Sequence, residues 1–154
     1  MNKLIVLFLI TLLQNFGTLN GIQVYDAEKL EKEVITSPAY PHFVLERNNK
    51  LKIKKGEEFY LRFTIKPSYA NLGAKLLSYE TYINPKYLRY IHIEPSKIQK
   101  FVSKERGIIK KVLFYQYFKL KALETAERGV TIAFYRKKEN SKLIEEIDVK
   151  FYIS

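Results

Sequence analysis

Cysteine and tryptophan are absent from this chain of 154 residues, and methionine, histidine, proline and glycine are scarce. Without cysteine the chain can form no disulfide, so the fold must be held by its core alone, and it has no thiol nucleophile. The two histidines, His42 and His92, lie far apart and make no His-x-x-x-His pair that would indicate zinc. The six glycines are not grouped, which excludes a glycine-rich phosphate-binding loop.

Acidic residues are also few, 16 against 27 lysines and arginines. Glu57 and Glu58 are neighbours, as are Glu145 and Glu146, and neighbouring residues on a strand point to opposite faces. Neither pair therefore predicts a catalytic dyad. Because no motif supplies a nucleophile, a base and an oxyanion donor together, the sequence predicts a protein that is not an enzyme, with no catalytic residue, metal or cofactor.

The single long apolar run lies near the amino terminus. Lys3 precedes residues 4–13, of which only Thr11 is polar, and small and polar residues follow up to Gly21. This order is typical of a secretory signal peptide, and the run is too short to cross about 30 Å of hydrocarbon. We predict a signal peptide over residues 1–21, hence a secreted protein or one in the lumen of the secretory pathway. An uncleaved anchor or a buried core helix are the alternatives.

The net charge of +11 falls to +10 if residues 1–21 are removed, because they contain Lys3 and no acidic residue. A basic protein fits an acidic partner such as an anionic lipid surface, a glycan or an acidic protein. The basic residues are scattered along the chain, however, which favours a role in solubility over a defined acidic partner. The 12 tyrosines and 10 phenylalanines could stack on bases, but strands favour aromatic residues, and we predict no nucleic-acid partner.

Residues 22–42 are interpreted as a leader. Within it, residues 23–35 carry apolar side chains at close to helical spacing, and Pro38 and Pro41 would end a helix. A short helix or a loose segment both fit. From residue 43 onward the pattern alternates with period two, most clearly over residues 59–65. About seven such segments separated by turn signals predict an all-β, immunoglobulin-like antiparallel β-sandwich over residues 43–154.

The carboxyl half also has recognisable motifs. Residues 118–123 read FKLKAL, a turn ends at Gly129, and residues 130–136 read VTIAFYR before a closing strand. Upstream, Gly56 precedes the strand 59–65, a Pro-containing loop follows, and Asn84-Pro85-Lys86 forms a turn. Over about residues 43–153 the chain resembles the chagasin-type inhibitors of papain-like cysteine proteases.

The resemblance implies an immunoglobulin-like sandwich in which three loops at one end enter the protease cleft, so a papain-like cysteine protease is the expected partner. Here Lys66 stands where the family has Asn, and Lys137 and Lys138 stand where it has Pro and Trp. Tyr69 and Leu72 are the expected apolar anchors. The implied protease-binding residues are Lys66, Pro67, Ser68, Tyr69, Ala70, Asn71, Leu72, Gly73, Arg106, Gly107, Arg136, Lys137 and Lys138. The alternative is a basic adhesion or carrier module that binds an acidic protein, a glycan or an anionic lipid surface.

Overall fold

The computed structural model describes residues 15–65, 78–137 and 142–154, and these are almost entirely strand. Short 3₁₀ helices, Ala27–Lys29 and Pro85–Tyr87, are the helical elements of this part of the chain. The strands are β1 (Asn15–Leu19), β2 (Ile22–Asp26), β3 (Glu31–Thr36), β4 (Val44–Ile53), β5 (Glu58–Ile65), β6 (Glu80–Ile83), β7 (Ile91–Ile93), β8 (Lys97–Glu105), β9 (Ile108–Ala122), β10 (Ala126–Lys137) and β11 (Leu143–Ile153).

The strands form two sheets that pack face to face. The first sheet has the order β1-β2-β5-β9-β7, with β8 also paired to β9, and the second has the order β3-β4-β11-β10-β6. The predicted all-β sandwich is therefore confirmed. The sheets are mixed rather than purely antiparallel, because β2 runs parallel to β5 and β4 runs parallel to β11. Eleven strands are described instead of about seven, since the sequence-based count left out the strands formed before residue 43 and the strand β8.

The core lies between the sheets and follows from the alternation in the sequence. Along β5, Phe59, Leu61, Phe63 and Ile65 are all buried on the inner face, as the period-two pattern predicts. The aromatic rings of β5 pack against rings of the facing sheet. The ring centres of Phe63 and Phe134, for example, lie 4.8 Å apart. Aromatic pairs at this separation stabilise the fold beyond the effect of the apolar area that they bury. The buried side chains form one continuous apolar cluster between the sheets, and no disulfide supports it.

Residues 23–35 form neither of the two expected structures, a short helix or a loose segment, and the interpretation of residues 22–42 as a leader outside the domain is wrong. This stretch forms β2, one 3₁₀ turn and β3, and both strands belong to the sheets. Val24, Ala27 and Leu30 are buried, which accounts for their apolar character, but they are buried as strand and turn residues. Pairing with β5 and β4 outweighs the weak local preference for a helix.

Asp26 shows why the local pattern was misleading. One of its oxygens accepts a hydrogen bond from the backbone N–H of Glu28, which starts the 3₁₀ turn. The other accepts a bond of 2.7 Å from Arg62 on β5, and both side chains are buried. The Arg62 guanidinium also lies 4.2 Å from the centre of the Tyr115 ring. A buried ion pair needs such surrounding contacts, and this one fixes the end of β2 through a partner 36 residues away.

The predicted signal peptide falls mostly outside the described residues, which begin at Asn15. Residues 15–19, at the end of the predicted signal, form β1, which pairs with β2 through a turn at Asn20 and Gly21. The signal peptide, its cleavage and secretion stay predictions. In the described part of the chain, no helix has the length and apolarity needed to span a bilayer.

A long hairpin distinguishes the first sheet. β8 and β9 are joined by the two residues Arg106 and Gly107, which have φ of 50° and 77°, the left-handed values that a two-residue hairpin turn requires. Gly107 adopts this conformation at little steric cost. The strand β8 was not predicted from the sequence.

We predict that Phe63→Ala lowers the free energy of unfolding by about 3–5 kcal/mol, because a buried ring leaves a cavity that the core fills only in part. Phe101→Ala is the matched control, since it makes the same chemical change at a side chain that is 52% exposed, where about 0.5 kcal/mol or less is expected. Urea denaturation of both variants checks this. Similar losses would contradict the assignment of Phe63 to the core.

Candidate functional site at the loop-bearing end

Three segments of the chain reach the same end of the sandwich. β5 ends at Ile65, which pairs with Phe114, so β9 passes this end on its way from the hairpin turn. β10 ends at Lys137, close to the start of β6, because Tyr135 pairs with Glu80. The end of β5, the end of β10 and the β8–β9 hairpin are therefore neighbours. We call this the loop-bearing end.

The hairpin extends well past the other two segments. Lys100 of β8 pairs with Phe114, the residue that is level with the end of β5. The turn at Arg106 and Gly107 lies six residues farther along β8, or about 20 Å at 3.3 Å per residue. The hairpin thus carries Arg106 and Gly107 away from the sandwich instead of bringing them beside Arg136.

Arg136, predicted to contact a protease, is held inside the loop-bearing end. Its Nε donates to Glu145 Oε2 at 3.1 Å, its second guanidinium nitrogen forms a close ion pair with the same oxygen, and Cζ lies 4.9 Å from the centre of the Tyr79 ring. The Tyr79 hydroxyl donates to that carboxylate oxygen as well, at 2.9 Å. Arg136 therefore joins β10 to β11 and to the start of β6.

The remaining predicted residues are divided between described and undescribed parts of the chain. Lys137 is exposed, with Nζ 5.0 Å from the centre of the Tyr135 ring. Lys66, Pro67, Ser68, Tyr69, Ala70, Asn71, Leu72 and Gly73, together with Lys138, lie outside the described residues.

Gln116 is the buried polar residue on which the loop-bearing end is built. It lies on the inner face of β9 and is fully buried. Its Oε1 accepts from the backbone N–H of Tyr79 at 2.7 Å, and its Nε2 donates to the Tyr79 carbonyl at 2.9 Å. Nε2 also donates to Ser96 Oγ at 2.8 Å. The side chain thereby joins the first sheet to the backbone that enters the second.

Three residues of this end were not predicted from the sequence as site residues: Gln116, Tyr79 and Glu145. A signal for Gln116 was present, because the alternation of β9 places it in phase with Val112, Phe114 and Phe118, so a polar side chain stands on an apolar face. Such a residue needs a hydrogen-bonding partner when it is buried. The identity of that partner, 37 residues away, depends on the packing of the two sheets and is not visible in the sequence.

Burial and the bond to the Glu145 carboxylate raise the pKa of Tyr79 well above its usual range, and the nearby Arg136 opposes part of this effect. Tyr79 is thus a neutral hydrogen-bond donor at physiological pH. Because the Tyr79 hydroxyl is bonded to Glu145, this cluster positions the backbone of the loop-bearing end.

Two grooves lie elsewhere on the sandwich. One of about 640 Å³ runs between the edge strands β6 and β7. It is lined mainly by apolar side chains, and His92 and Glu94 are polar residues of the lining. Another of about 600 Å³ lies at the end opposite the loops, beside Lys86, Arg89 and Arg128. The described residues contain no group of three or more His, Asp or Glu side chains that could hold a metal ion.

Comparison with known proteins gives weak similarity of fold. No protein-family model matches the chain, and no curated protein sequence matches it. A search of solved structures finds the solution structure of Amebosin, which is 13% identical, with a TM-score of 0.38, over 70% of this chain and 90% of that chain. This similarity is too weak to carry an argument, and it confirms no inhibitor family.

We predict that Gln116→Leu lowers the free energy of unfolding by about 2–6 kcal/mol, because it leaves the buried N–H and C=O of Tyr79 without partners at about 1–3 kcal/mol each. Gln99→Leu is the matched control, since Gln99 is exposed on β8, and a change of at most about 0.5 kcal/mol is expected there. Urea denaturation measures both. A loss below about 1 kcal/mol for Gln116→Leu would show that water or another group replaces the amide.

A pH-dependent loss of stability should follow from Tyr79. Because its pKa is raised in the folded protein, its stabilising effect is fully present below the unfolded value of about 10 and is lost as the pH rises above it. Tyr25 behaves in the same way, since burial and Glu57 raise its pKa to about 12. We predict that Tyr79→Phe costs about 1–2 kcal/mol at pH 7 and that its stability falls less steeply than that of the wild type from pH 10 upward. Parallel pH profiles would contradict this role for Tyr79.

Proposed function

We propose that this protein is a binding module that engages its partner with the loop-bearing end, and specifically that it inhibits papain-like cysteine proteases. The observation that supports this most is the arrangement of the three segments that the resemblance singles out. The ends of β5 and β10 lie at one end of the sandwich, and the β8–β9 hairpin leaves from the same end, although its turn extends about 20 Å beyond them. A rigid scaffold that presents several loops to a cleft needs no catalytic group of its own.

The contacts around Arg136 indicate how such a scaffold would act. Arg136, Glu145 and Tyr79 are bonded to one another, so described residues on either side of the chain gaps at 66–77 and 138–141 are held in fixed positions. A fixed loop base lowers the conformational entropy that binding would cost. In this proposal Arg136 positions the loops, and the apolar contacts with the protease come from Tyr69 and Leu72.

Inhibition of a papain-type protease by the purified protein tests the proposal. Titration from equimolar amounts to a large excess should give reversible, stoichiometric inhibition. Tyr69→Ala should raise the inhibition constant at least about tenfold, the effect expected for a large aromatic anchor. Tyr82→Ala is the matched control, because Tyr82 is exposed on β6 and should leave the inhibition constant unchanged.

Two results would count against the proposal in different ways. No inhibition at a large excess of protein would remove the protease as the partner and leave the sandwich unaffected. Inhibition that is equally strong with Tyr69→Ala would keep the activity but exclude this loop as the main contact. Circular dichroism of each variant should first confirm that it is folded.

A further inference from the structure

The far part of the β8–β9 hairpin concentrates positive charge. Residues 97–111, which we call the distal hairpin, contain six lysines and arginines and one acidic residue, a net charge of +5. All six basic side chains are exposed. Within the described parts of the chain none of them forms an ion pair, whereas Lys119 and Lys121, nearer the sandwich, pair with Glu58 and Glu94. The distal hairpin therefore presents uncompensated charge to solvent.

Large apolar side chains are exposed on the same hairpin. Ile108 and Ile109, directly after the turn, are 62% and 58% exposed, and Phe101 is 52% exposed. Single exposed apolar residues are ordinary, but a group of them on a projecting element indicates a binding surface. Charge alone would explain solubility, and apolar exposure alone would favour aggregation. Their combination points to a partner that is both anionic and apolar.

The register shows that this combination occurs on both faces of the hairpin. Lys104 lies opposite Ile109 and Glu105 lies opposite Ile108, and successive pairs point to opposite faces. Phe101 and Leu113 form a pair on one face, and Val102 and Val112 form the next pair on the other. A lipid interface can surround the tip of a ribbon and so contact both of these faces at once. Binding of nucleic-acid strands relies on aromatic rings for base stacking, and the distal hairpin has only Phe101.

We propose that the distal hairpin docks on the surface of an anionic lipid bilayer, with Ile108 and Ile109 at the boundary of the acyl chains and the lysines among the headgroups. Lysine side chains can reach the headgroups while their stems lie along apolar surface. Insertion is shallow, because a two-stranded ribbon has unpaired backbone groups at its edges, which are costly in hydrocarbon. This inference goes beyond protease inhibition, which needs no membrane.

The absence of tryptophan allows a site-specific test. Ile108→Trp introduces a single tryptophan at the hairpin tip, and Leu88→Trp introduces one at an exposed apolar position remote from it. With vesicles of phosphatidylcholine and about one third phosphatidylserine, the fluorescence of Trp at position 108 should shift to the blue and be quenched by brominated acyl chains. The fluorescence at position 88 should not change. Any binding through residues 4–13 is common to both variants of the full chain, so the difference between them reports the hairpin.

Charge and apolar variants complete the test. Lys104→Gln with Lys110→Gln should weaken binding to the anionic vesicles about fivefold for each cation removed, while Lys52→Gln with Lys54→Gln, also exposed, should not. Ile108→Ser with Ile109→Ser should weaken it at least about tenfold. Absence of a blue shift at position 108, or equal effects of the two lysine pairs, would overturn the proposal. Tighter, lysine-dependent binding of single-stranded DNA would also overturn it. These measurements contain no protease, so their failure is distinct from failure of the inhibition assay.

Discussion

The loop-bearing end depends on the two hydrogen bonds between Gln116 and the backbone of Tyr79. Apolar packing holds the two sheets together, but it has no preferred direction, and no disulfide is available to set their relative position. The Gln116 amide satisfies one donor and one acceptor of a single residue, so it determines where the chain enters the second sheet. From that point the Tyr79 ring packs 4.5 Å from the centre of Phe63, and its hydroxyl reaches Glu145. Arg136 then has a carboxylate to pair with.

These contacts give Arg136 a role different from the one that the resemblance implies. In the sequence it matches an arginine of an inhibitory loop, and the resemblance implies a direct contact with a protease. In the structure the Arg136 guanidinium is already paired within the protein, because it donates to the Glu145 carboxylate and lies against the Tyr79 ring. Replacing a residue of this kind would disturb the position of two chain segments at once. Its contribution to binding, if the loop-bearing end binds a cleft, comes through the geometry of those segments.

The sequence was sufficient for the parts of the fold that are set by local alternation. β5 was predicted with its buried face, because one side of the strand is uniformly apolar. Residues 23–35 were misread because Val24, Ala27 and Leu30 have helical spacing, while the interactions that decide their structure are the pairing of β2 with β5 and the bond from Arg62 to Asp26. At the candidate site, the sequence placed Gln116 on an apolar face, but only the packing of the sheets supplies Tyr79 as its partner.

The clustering of positive charge on the surface also depends on strand pairing that the sequence does not show. Along the sequence the basic residues are scattered, which favoured solubility over a defined partner. The hairpin folds residues 97–105 back against residues 108–117, so that residues 97–111 together carry a net charge of +5 out of the +11 of the whole chain. Lysines that protect an exposed strand edge from aggregation are common, and that role would explain part of this charge. It would not place Ile108 and Ile109 in solvent beside the turn, because exposed β-branched residues work against such protection. The charge and the apolar tip are therefore better explained together, by a partner that takes up both.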